Sequence, residues 1–577
     1  MRPPPLQASR LHVTKSPVEV AHAVVTAGHP LGAAVGAEIL RRGGNAVDAA
    51  VATAFAMAVV EPFMSCLAGG GSMLIHTPRR GESVALDFNV QAPAAAHERI
   101  YRLAAGRGSD LFPWRAVEDD ANVHGHRAVA VPGSIAGLSL ALERYGTMAL
   151  RDVVAPATRL ARRGVPMDWY LSLVTAVYAE ELSRFPAAAR IYLRKGAFPP
   201  RPAHFGPADR LRQPELARTL ELIGKEGPDV FYRGELAEAI DAEMKRGGGF
   251  IRRADLAAYR VRVAPPMEAA YRGVTLLGMP GATGCLTAVE ALNILERCDL
   301  EGRDLSSPTI HHLRAEALRL AFRDRFRYLG DPEHVRAPWT GLASKAYAAE
   351  LAGDLRPAGP RGRIRVQDPW RFEPSPAGFR ARRPRGRGRP PADGCTTQVC
   401  AVDRDRTLVS LTHTAVSLFG SKVVVPGTGL LLSNGMIWFD PEPGQPNSIA
   451  PGKRALVNMT PFLALRQGAP YLAVGAPGAR KIISAIPQVL SNLVDLGLGP
   501  QAAVEAPRLH TEGEDLFVDD RVGTRVLAAL RRMGHRVVAQ TETYSTFYFA
   551  RPQVIQVTDR WLVAGVDHLR PATAVGF

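Results

Sequence analysis

The 577-residue sequence has only five cysteines and no apolar run long enough to cross a bilayer. The cysteines lack close CxxC pairs, and their odd number argues against a disulfide scaffold, which favours a reducing compartment. The longest apolar stretch, 46–60, is short for a membrane span and contains Asp48, so it indicates a buried helix. The first residues contain no run of signal-peptide length. We therefore expect a cytoplasmic protein that makes no membrane contact.

The sequence has fewer acidic than basic residues: 71 lysines and arginines against 55 aspartates and glutamates, which gives a net charge of +16. Half of this excess lies between Arg361 and Arg389, where ten arginines accompany Asp368 and Glu373 (10 − 2 = +8). The segment 361–394 is rich in proline and glycine, which predicts a solvated loop. It lacks the regular aromatic residues of nucleic-acid-binding tracts, so we expect no nucleic-acid partner.

Metal and phosphate signatures are also missing from the sequence. The glycines 69–71 precede a strand-like run and have no following lysine, whereas a phosphate loop runs from a strand into a helix. His124 and His126, like His311 and His312, have no ligand spacing around them. The sequence therefore predicts neither a metal site nor a cofactor.

Two predicted helices open the recognisable part of the chain. Residues 31–42 have helical spacing, Gly43 and Gly44 supply a stop, and Asn45 can cap a second, alanine-rich helix from Ala46. Residues 134–328 are mostly helical by periodicity, and short strand patterns dominate after 393. This order predicts an α+β fold or layered sheets covered by helices.

A hairpin around Thr396 carries the chemistry. The turn 403–406 lies between two strand-like runs, and pairing Val402 with Thr407 would place Thr396 opposite His413 and beside Thr414, with a slip of one residue possible. Threonine needs a base beside it, and a free N-terminal amine with a pKa of about 7.7 to 8.0 can provide one. Chain cleavage before Thr396 would create that amine.

Many ordered motifs resemble the γ-glutamyltransferase family of self-processing N-terminal-nucleophile enzymes, from about residue 20 to residue 540. The motifs are His29-Pro-Leu, Gly43-Gly-Asn-Ala-Val-Asp-Ala-Ala50, Val60-Glu-Pro, Gly69-Gly-Gly71, Ala92-Pro-Ala-Ala95, Val131-Pro-Gly-Ser-Ile-Ala-Gly137, Thr396-Thr397, Thr412-His-Thr414, Phe419-Gly, Val425-Pro-Gly-Thr-Gly429, Pro451-Gly-Lys-Arg454 and Gly475-Ala-Pro-Gly478.

This resemblance implies autocatalytic cleavage of a zymogen between Cys395 and Thr396. The products would be a large subunit, 1–395, ending in the loop 361–394, and a small subunit, 396–577, which remain together in one fold. The implied architecture is a four-layer αββα sandwich.

By the same resemblance, Thr396 is the nucleophile and Thr414 orients its amine and hydroxyl. Backbone N–H groups of Gly478 and Ala479 correspond to the oxyanion hole of the acyl transfer. Ala479 replaces a family glycine, and we expect its donor to survive if its φ is negative.

The sequence departs from the family at the positions that recognise a γ-glutamyl group. The family's arginine is Asn89, its asparagine after the second threonine is Val416, its aspartate is Trp438, and its paired serines are Val457 and Asn458. These changes predict a more apolar acyl pocket and poor selectivity for glutamyl donors such as glutathione. A packing role for Trp438 in the core is the alternative.

Three functions remain open on the sequence. The first is an amide hydrolase or acyltransferase with non-glutamyl specificity, acting on a small-molecule amide with water or an amine as acceptor. The second is a genuine γ-glutamyltransferase, or glutathione hydrolase, with unusual donor recognition. The third is an unprocessed binding protein without turnover.

Overall fold

The computed structural model describes residues 13–107, 114–300, 302–356, 367–374 and 395–577. Most of the predicted arginine-rich loop, 361–394, lies outside the described residues. Its described part departs from the prediction of a solvated loop, because Pro369–Phe372 form a short 3-10 helix. Trp370 is buried there against an apolar cluster that includes Tyr347, so a hydrophobic anchor interrupts the charged segment.

Helices supply the outer layers of the fold. In chain order they are α1 (Pro30–Arg41), α2 (Ala46–Val60), α3 (Ser134–Tyr145), α4 (Leu150–Arg163), α5 (Trp169–Val177), α6 (Ala179–Ser183), α7 (Pro186–Tyr192), α8 (Pro214–Glu226), α9 (Asp229–Tyr232), α10 (Glu235–Arg246), α11 (Arg253–Ala258), α12 (Cys285–Glu296), α13 (Pro308–Tyr328), α14 (Trp339–Ala343), α15 (Lys345–Gly353), α16 (Lys481–Val494), α17 (Pro500–Glu505) and α18 (Thr524–Arg532). Across the described ranges, none is both long and apolar enough to span a membrane.

Strands come from both ends of the chain as well as its middle. In chain order they are β1 (Val18–Val20), β2 (Val24–Ala27), β3 (Gly70–Thr77), β4 (Glu82–Phe88), β5 (Leu103–Arg107), β6 (Arg115–Val117), β7 (Val165–Pro166), β8 (Arg210–Leu211), β9 (Arg262–Ala264), β10 (Met267–Tyr271), β11 (Val274–Gly278), β12 (Thr397–Val402), β13 (Leu408–Thr414), β14 (Val424–Val425), β15 (Leu430–Leu431), β16 (Phe462–Arg466), β17 (Ala469–Gly475), β18 (Leu509–His510), β19 (Asp515–Asp519), β20 (Arg536–Gln540), β21 (Gln553–Val557), β22 (Leu562–Val566) and β23 (Thr573–Gly576).

Two seven-stranded sheets form the centre of the molecule. One has the strand order β23-β2-β12-β13-β3-β4-β9, and the other has the order β1-β22-β21-β17-β16-β11-β10. Pairing within both is antiparallel. Strand β12, which begins directly after Thr396, lies near the middle of the first sheet between β2 and β13. Residues Cys400–Val402 are therefore paired on both sides, while Thr397, which opens β12, pairs with His413 of β13.

Side chains alternate along β12 between two cores. Val399 and Ala401 pack in a cluster with the residues of α2, all of which are buried. Cys400 and Val402 pack in a second cluster, which also contains residues of β16, β17, α12 and α16. Successive strand residues face opposite sides of a sheet, so one face of the first sheet contacts helices and the other contacts the second sheet. This is the expected αββα arrangement.

The predicted helical hairpin is confirmed. Asn45 accepts hydrogen bonds from the backbone N–H groups of Val47 and Asp48, and the Asp48 carboxylate accepts from Asn45 in return, which completes a capping box. The prediction for 134–328 is incomplete, because β9, β10 and β11 lie within it. These three short strands lie at or next to the edges of the two sheets. Their formation depends on pairing with neighbouring strands rather than on local periodicity.

One buried carboxyl group outside the site gives a test of pH dependence. Burial, and then the negative charge of Asp324, raise the pKa of Glu290 well above its ordinary value. A raised folded-state pKa stabilises the fold below the unfolded-state pKa, and this stability is lost as the pH rises through the folded pKa. We therefore expect Glu290→Gln to raise the melting temperature at pH 8 and to lose this advantage near pH 4. Thermal scans at both pH values would measure the melting temperatures, with the surface variant Glu333→Gln as the control. No gain in melting temperature at pH 8 would contradict this expectation.

Candidate active site

The hairpin register places Thr396 beside Thr414. Thr397 pairs with His413 and Val402 with Leu408, so the pairing differs by one residue from the register that puts Thr396 opposite His413. The structure therefore has the register shifted by one residue, which the sequence left open as an alternative. The shift arises because Thr407 belongs to the turn and β13 begins only at Leu408: the Asp403 carboxylate accepts hydrogen bonds from the N–H groups of Asp405 and Thr407. Two threonine hydroxyls consequently lie together at one sheet end.

Both hydroxyls lie at the peptide bond that precedes β12. The Thr396 hydroxyl donates to the carbonyl oxygen of Cys395, and the Thr414 hydroxyl donates to the same oxygen over 3.0 Å. The two hydroxyl oxygens are 3.3 Å apart. Thr396 and Cys395 are buried. One hydroxyl is thus adjacent to the Cys395–Thr396 amide while a second polarises its carbonyl group.

Backbone strain fixes the second hydroxyl. The N–H group of Val416 donates to Thr414 Oγ1 over 2.8 Å, so the Thr414 proton is directed to Cys395. Val416 has a φ of 84°, which is unusual for a β-branched residue and costs about 1 to 3 kcal/mol. Val416 therefore has a backbone role that the sequence comparison with the family's asparagine did not reveal.

Nearby titratable groups do not compete with the threonine. Burial lowers the pKa of His413 to about 4, so its ring is neutral at pH 7 while it contacts the Cys66 carbonyl oxygen over 3.1 Å. Burial also raises the pKa of the Cys395 thiol to about 12 and that of Cys66 well above its usual value. Neither thiol supplies a thiolate, which leaves a hydroxyl as the nucleophile that this corner offers.

The candidate oxyanion turn follows β17. Gly478 has a φ of 143°, and a Cβ atom there would lie 2.6 Å from the Cα and Cβ atoms of Ala550. Ala479 has a φ of 52°, so the condition of a negative φ is not met, and alanine instead adopts the left-handed region at a cost of about 1 to 2 kcal/mol. Within the described residues, neither N–H group donates a hydrogen bond. Two backbone donors therefore remain for a ligand.

Three of the five candidate acyl-binding residues belong to one buried apolar cluster. Val416, Trp438 and Val457 pack there together with Ala479 and Met459. Trp438 is 5% exposed, so it packs in a core, and this core is continuous with the turn that carries the candidate oxyanion donors. The packing role considered for Trp438 is thus present, and it lies beside the candidate oxyanion turn. We call this apolar cluster, which contains Val416, Trp438, Val457, Met459 and Ala479, the acyl-side cluster.

The two asparagines flank the acyl-side cluster and are already engaged. Asn89 donates to Asp87 through its N–H and Nδ2 groups, and Asp87 pairs with Arg454 at 2.7 Å. In the described part of the chain, Asn89 Oδ1 has no hydrogen-bond partner. On the other side, Asn458 Oδ1 accepts a hydrogen bond from Arg325 over 3.2 Å. Neither asparagine replaces the positive charge of the family's arginine.

Sequence reasoning missed the arginines around the site. Arg325 is buried and donates to the Thr283 and Val457 carbonyl oxygens, each over 2.7 Å. Arg551 follows Ala550, the residue that touches Gly478. No motif or spacing marks either residue, since each reaches the site from an element distant in sequence.

Comparison with known proteins decides the family. Residues 32–577 match the family described as Gamma-glutamyltranspeptidase. The chain belongs to the gamma-glutamyltranspeptidase family. It is 38% identical over 525 residues to an Acylase ACY 1 proenzyme of Pseudomonas sp. (strain SE83), with 91% of this chain and 88% of the relative covered. It is 35% identical over 546 residues to the Glutathione hydrolase proenzyme of Escherichia coli (strain K12), covering 92% and 88%.

Solved structures agree with this membership in the gamma-glutamyltranspeptidase family. A cephalosporin acylase from Bacillus halodurans superposes with a TM-score of 0.84 at 26% sequence identity, and the match covers 100% of this chain and 99% of the other. The sequence resemblance and the αββα fold are thereby confirmed. The protein is an enzyme of acyl hydrolysis or transfer with the N-terminal-nucleophile fold. The roles assigned to individual site residues stay predictions.

The second hydroxyl can be tested directly. We expect Thr414→Val to slow self-cleavage at Cys395 by about 100- to 1,000-fold, because a pre-aimed donor to a developing oxyanion contributes about 2.7 to 4 kcal/mol. Valine has nearly the shape of threonine but has no hydroxyl, so the hydrogen bond to the Cys395 carbonyl oxygen is lost. Cleavage would be followed on denaturing gels after refolding. Thr407→Val, on the same hairpin next to its turn, is the control, and equal rates in the two variants would contradict the assignment.

Proposed function

We propose that this protein cuts its own chain between Cys395 and Thr396 and then uses Thr396 to hydrolyse or transfer an apolar acyl group from an amide. The observation that supports self-cleavage is the convergence of the Thr396 and Thr414 hydroxyls on the Cys395 carbonyl oxygen. The two sequence relatives named above are both called proenzymes, which agrees with such processing.

Self-cleavage begins when Thr396 Oγ1 attacks the Cys395 carbonyl carbon. The C–N bond breaks, an ester forms, and the nitrogen takes up the hydroxyl proton. Water then hydrolyses the ester, so Cys395 gains a carboxylate and Thr396 keeps a free amine and a free hydroxyl. Donation from Thr414 would stabilise the negative charge on the carbonyl oxygen in both steps.

Turnover repeats this chemistry on a separate amide. The freed amine, with a pKa of about 7.7 to 8.0, accepts the Thr396 hydroxyl proton as the oxygen attacks the substrate carbonyl. The Gly478 and Ala479 N–H groups would hold the tetrahedral oxygen. The amine of the substrate leaves with a proton, and water or another amine then removes the acyl group from Thr396.

The acyl group is proposed to be apolar and uncharged. A γ-glutamyl group would bring a carboxylate and an ammonium beside Val416, Trp438 and Val457, which cannot pair with them. Each buried charged group left unpaired costs about 1 to 3 kcal/mol or more. The described side chains of the acyl-side cluster are apolar, which supports an aliphatic or aromatic acyl group.

A γ-glutamyl donor is the second candidate, and one observation favours it. The buried Arg325 guanidinium lies 3.2 Å from Asn458 Oδ1, at the position of the family's paired serines. If Asn458 turned, this cation could face a donor carboxylate in place of the missing arginine. The third reading, an unprocessed binding protein, is opposed by the family membership.

A donor panel tests the proposed specificity. We expect 4-nitroanilides of phenylacetic and hexanoic acid to be hydrolysed with a kcat/KM at least about 100-fold above that of the γ-glutamyl-4-nitroanilide, since two charges go unpaired in the latter. Mass spectrometry of the small subunit during turnover should find the acyl group on Thr396. A preference for the γ-glutamyl donor would establish the second candidate, and an intact chain without turnover would establish the third.

A further inference from the structure

A buried glutamine lies two residues after the candidate nucleophile. Gln398 is fully buried and lies directly opposite Thr412 in the pairing of β12 with β13. Side chains two residues apart on a strand face the same side, so Gln398 lies on the face of Thr396. Thr412 lies on that of Thr414 for the same reason. Cys400, also on this face, packs in the cluster that contains residues of β16 and β17, so Gln398 lies between the two sheets.

The side-chain amide of Gln398 is hydrogen-bonded at both ends. Its Oε1 accepts a hydrogen bond from the Thr412 hydroxyl over 2.8 Å, and its Nε2 donates to Ser410 Oγ over 3.0 Å. Nε2 also donates to the Val399 carbonyl oxygen over 3.2 Å and lies 3.6 Å from Cys400 Sγ. A polar network whose members are all satisfied makes a buried region rigid. The amide is therefore fixed in one orientation.

Ser410 extends this network to the second sheet. Its hydroxyl accepts the hydrogen bond from Gln398 and donates to the Val474 carbonyl oxygen of β17 over 2.9 Å. A Cβ atom at the next residue, Gly475, would lie 2.3 Å from Gln398 Cδ, so the backbone of β17 lies directly against the amide. Hydrogen bonds thus join β12 and β13, which hold the two threonines, to β17.

Strand β17 leads into the candidate oxyanion turn. Gly475 is its last residue, and Gly478 follows three positions later. The strand is paired with β16 on one side and β21 on the other, so its end does not move independently of the second sheet. The distance between the turn and Thr396 consequently depends on how the second sheet is placed on the first. Hydrogen bonds define this placement more narrowly than apolar contacts do, because they depend on direction as well as distance.

We propose that Gln398 and Ser410 are positioning residues, which hold the oxyanion turn at the distance from Thr396 that acyl transfer requires. The inference rests on the proposed function, because it takes the turn after β17 as the source of the oxyanion donors. Self-cleavage instead uses the Thr396 and Thr414 hydroxyls and the preceding amide, which lie together at the end of the first sheet. The network should therefore affect turnover and leave self-cleavage unchanged.

Ser410→Ala separates these two reactions. The substitution removes the hydrogen bond to Val474 with little change in volume. We expect kcat per cut chain to fall by about 10- to 100-fold with KM within about twofold, because a displacement of about 1 Å can cost about 100-fold. The rate of self-cleavage, followed on denaturing gels after refolding, should stay within about twofold of the parent. Turnover is measured with the 4-nitroanilide that the parent hydrolyses best. Ser410→Thr retains the hydroxyl and should retain most of kcat.

Thr26→Val is the matched control for Ser410→Ala. The buried Thr26 hydroxyl, on β2, accepts a hydrogen bond from the Cys400 N–H group over 3.2 Å, which lies within the first sheet and does not reach the second. We expect this variant to lose stability and to keep its kcat. Gln398→Met, which removes both amide hydrogen bonds, repeats the test if Ser410→Ala does not fold.

Three results would overturn the positioning role. The first is an equal kcat in Ser410→Ala and Thr26→Val, and the second is an equal slowing of self-cleavage and turnover in Ser410→Ala. The third is failure of both Ser410→Ala and Gln398→Met to fold while Thr26→Val folds, which would show a structural role alone. A parent chain that stays uncut would instead refute the proposed function, and this result would be visible before any variant is compared.

Discussion

Thr396→Ala leaves a single uncut chain of 577 residues and no detectable amide hydrolysis. The expected loss exceeds about 1,000-fold, because alanine removes both the attacking oxygen and the route to a free amine. The remaining contacts at Cys395, including donation from Thr414, would persist in this variant. Denaturing gels and N-terminal sequencing of the refolded protein measure the effect.

Two further substitutions make the Thr396 experiment specific. Thr396→Ser keeps the hydroxyl and should still cleave, at a reduced rate, whereas Thr397→Ala removes the neighbouring hydroxyl on β12. Thr397 Oγ1 has no hydrogen-bond partner among the described residues, so its loss should leave cleavage intact. If the Thr396→Ala chain still split at the same bond, the nucleophile would have to be another group.

Gly478→Ala should reduce kcat by about 100- to 1,000-fold through loss of an oxyanion donor. A Cβ atom at residue 478 meets the Ala550 backbone at 2.6 Å, and a φ of 143° is open in practice only to glycine. The turn must shift to accommodate the methyl group, which moves its N–H away from the substrate oxygen. Steady-state kinetics with a processed preparation would measure the loss.

Ala479→Gly is the matched control for the turn. It relieves a left-handed alanine with a φ of 52°, so we expect a gain in unfolding free energy of about 1 kcal/mol and a kcat within about threefold of the parent. Urea titration and the same kinetic assay report the two quantities. Equal losses of kcat in Gly478→Ala and Ala479→Gly would contradict a donor role that depends on turn geometry.

The sequence predicted those parts of the fold that local patterns determine. The caps around Gly43 and Asn45 set the ends of α1 and α2, and the hairpin between β12 and β13 follows from its turn and strand alternation. From the sequence, the pairing register between β12 and β13 could be narrowed only to alternatives one residue apart. Selecting between them requires knowing that Thr407 belongs to the turn. This depends on the Asp403 carboxylate, which accepts hydrogen bonds from the Thr407 N–H group and from the Ala46 N–H group on a distant helix.

Roles created by long-range packing could not be predicted in this way. The strained φ of Val416 and the positive φ of Ala479 depend on the surrounding fold, and neither residue type indicates such a conformation. Arg325 and Arg551 come near the site from elements far from Thr396 in sequence. Family motifs supplied the candidates for the nucleophile and the oxyanion turn, but a motif conveys nothing about residues that differ from the family.

Assembly of the first sheet has to precede chemistry at Thr396. Thr414 reaches the Cys395 oxygen when β13 is paired with β12 on one side and with β3 on the other, and β3 lies far earlier in the chain. A chain that collapses in the wrong arrangement would have both threonines but no aligned amide. The cut fraction of a preparation would consequently serve as a built-in gauge of correct folding, readable from band intensities before any substrate is known.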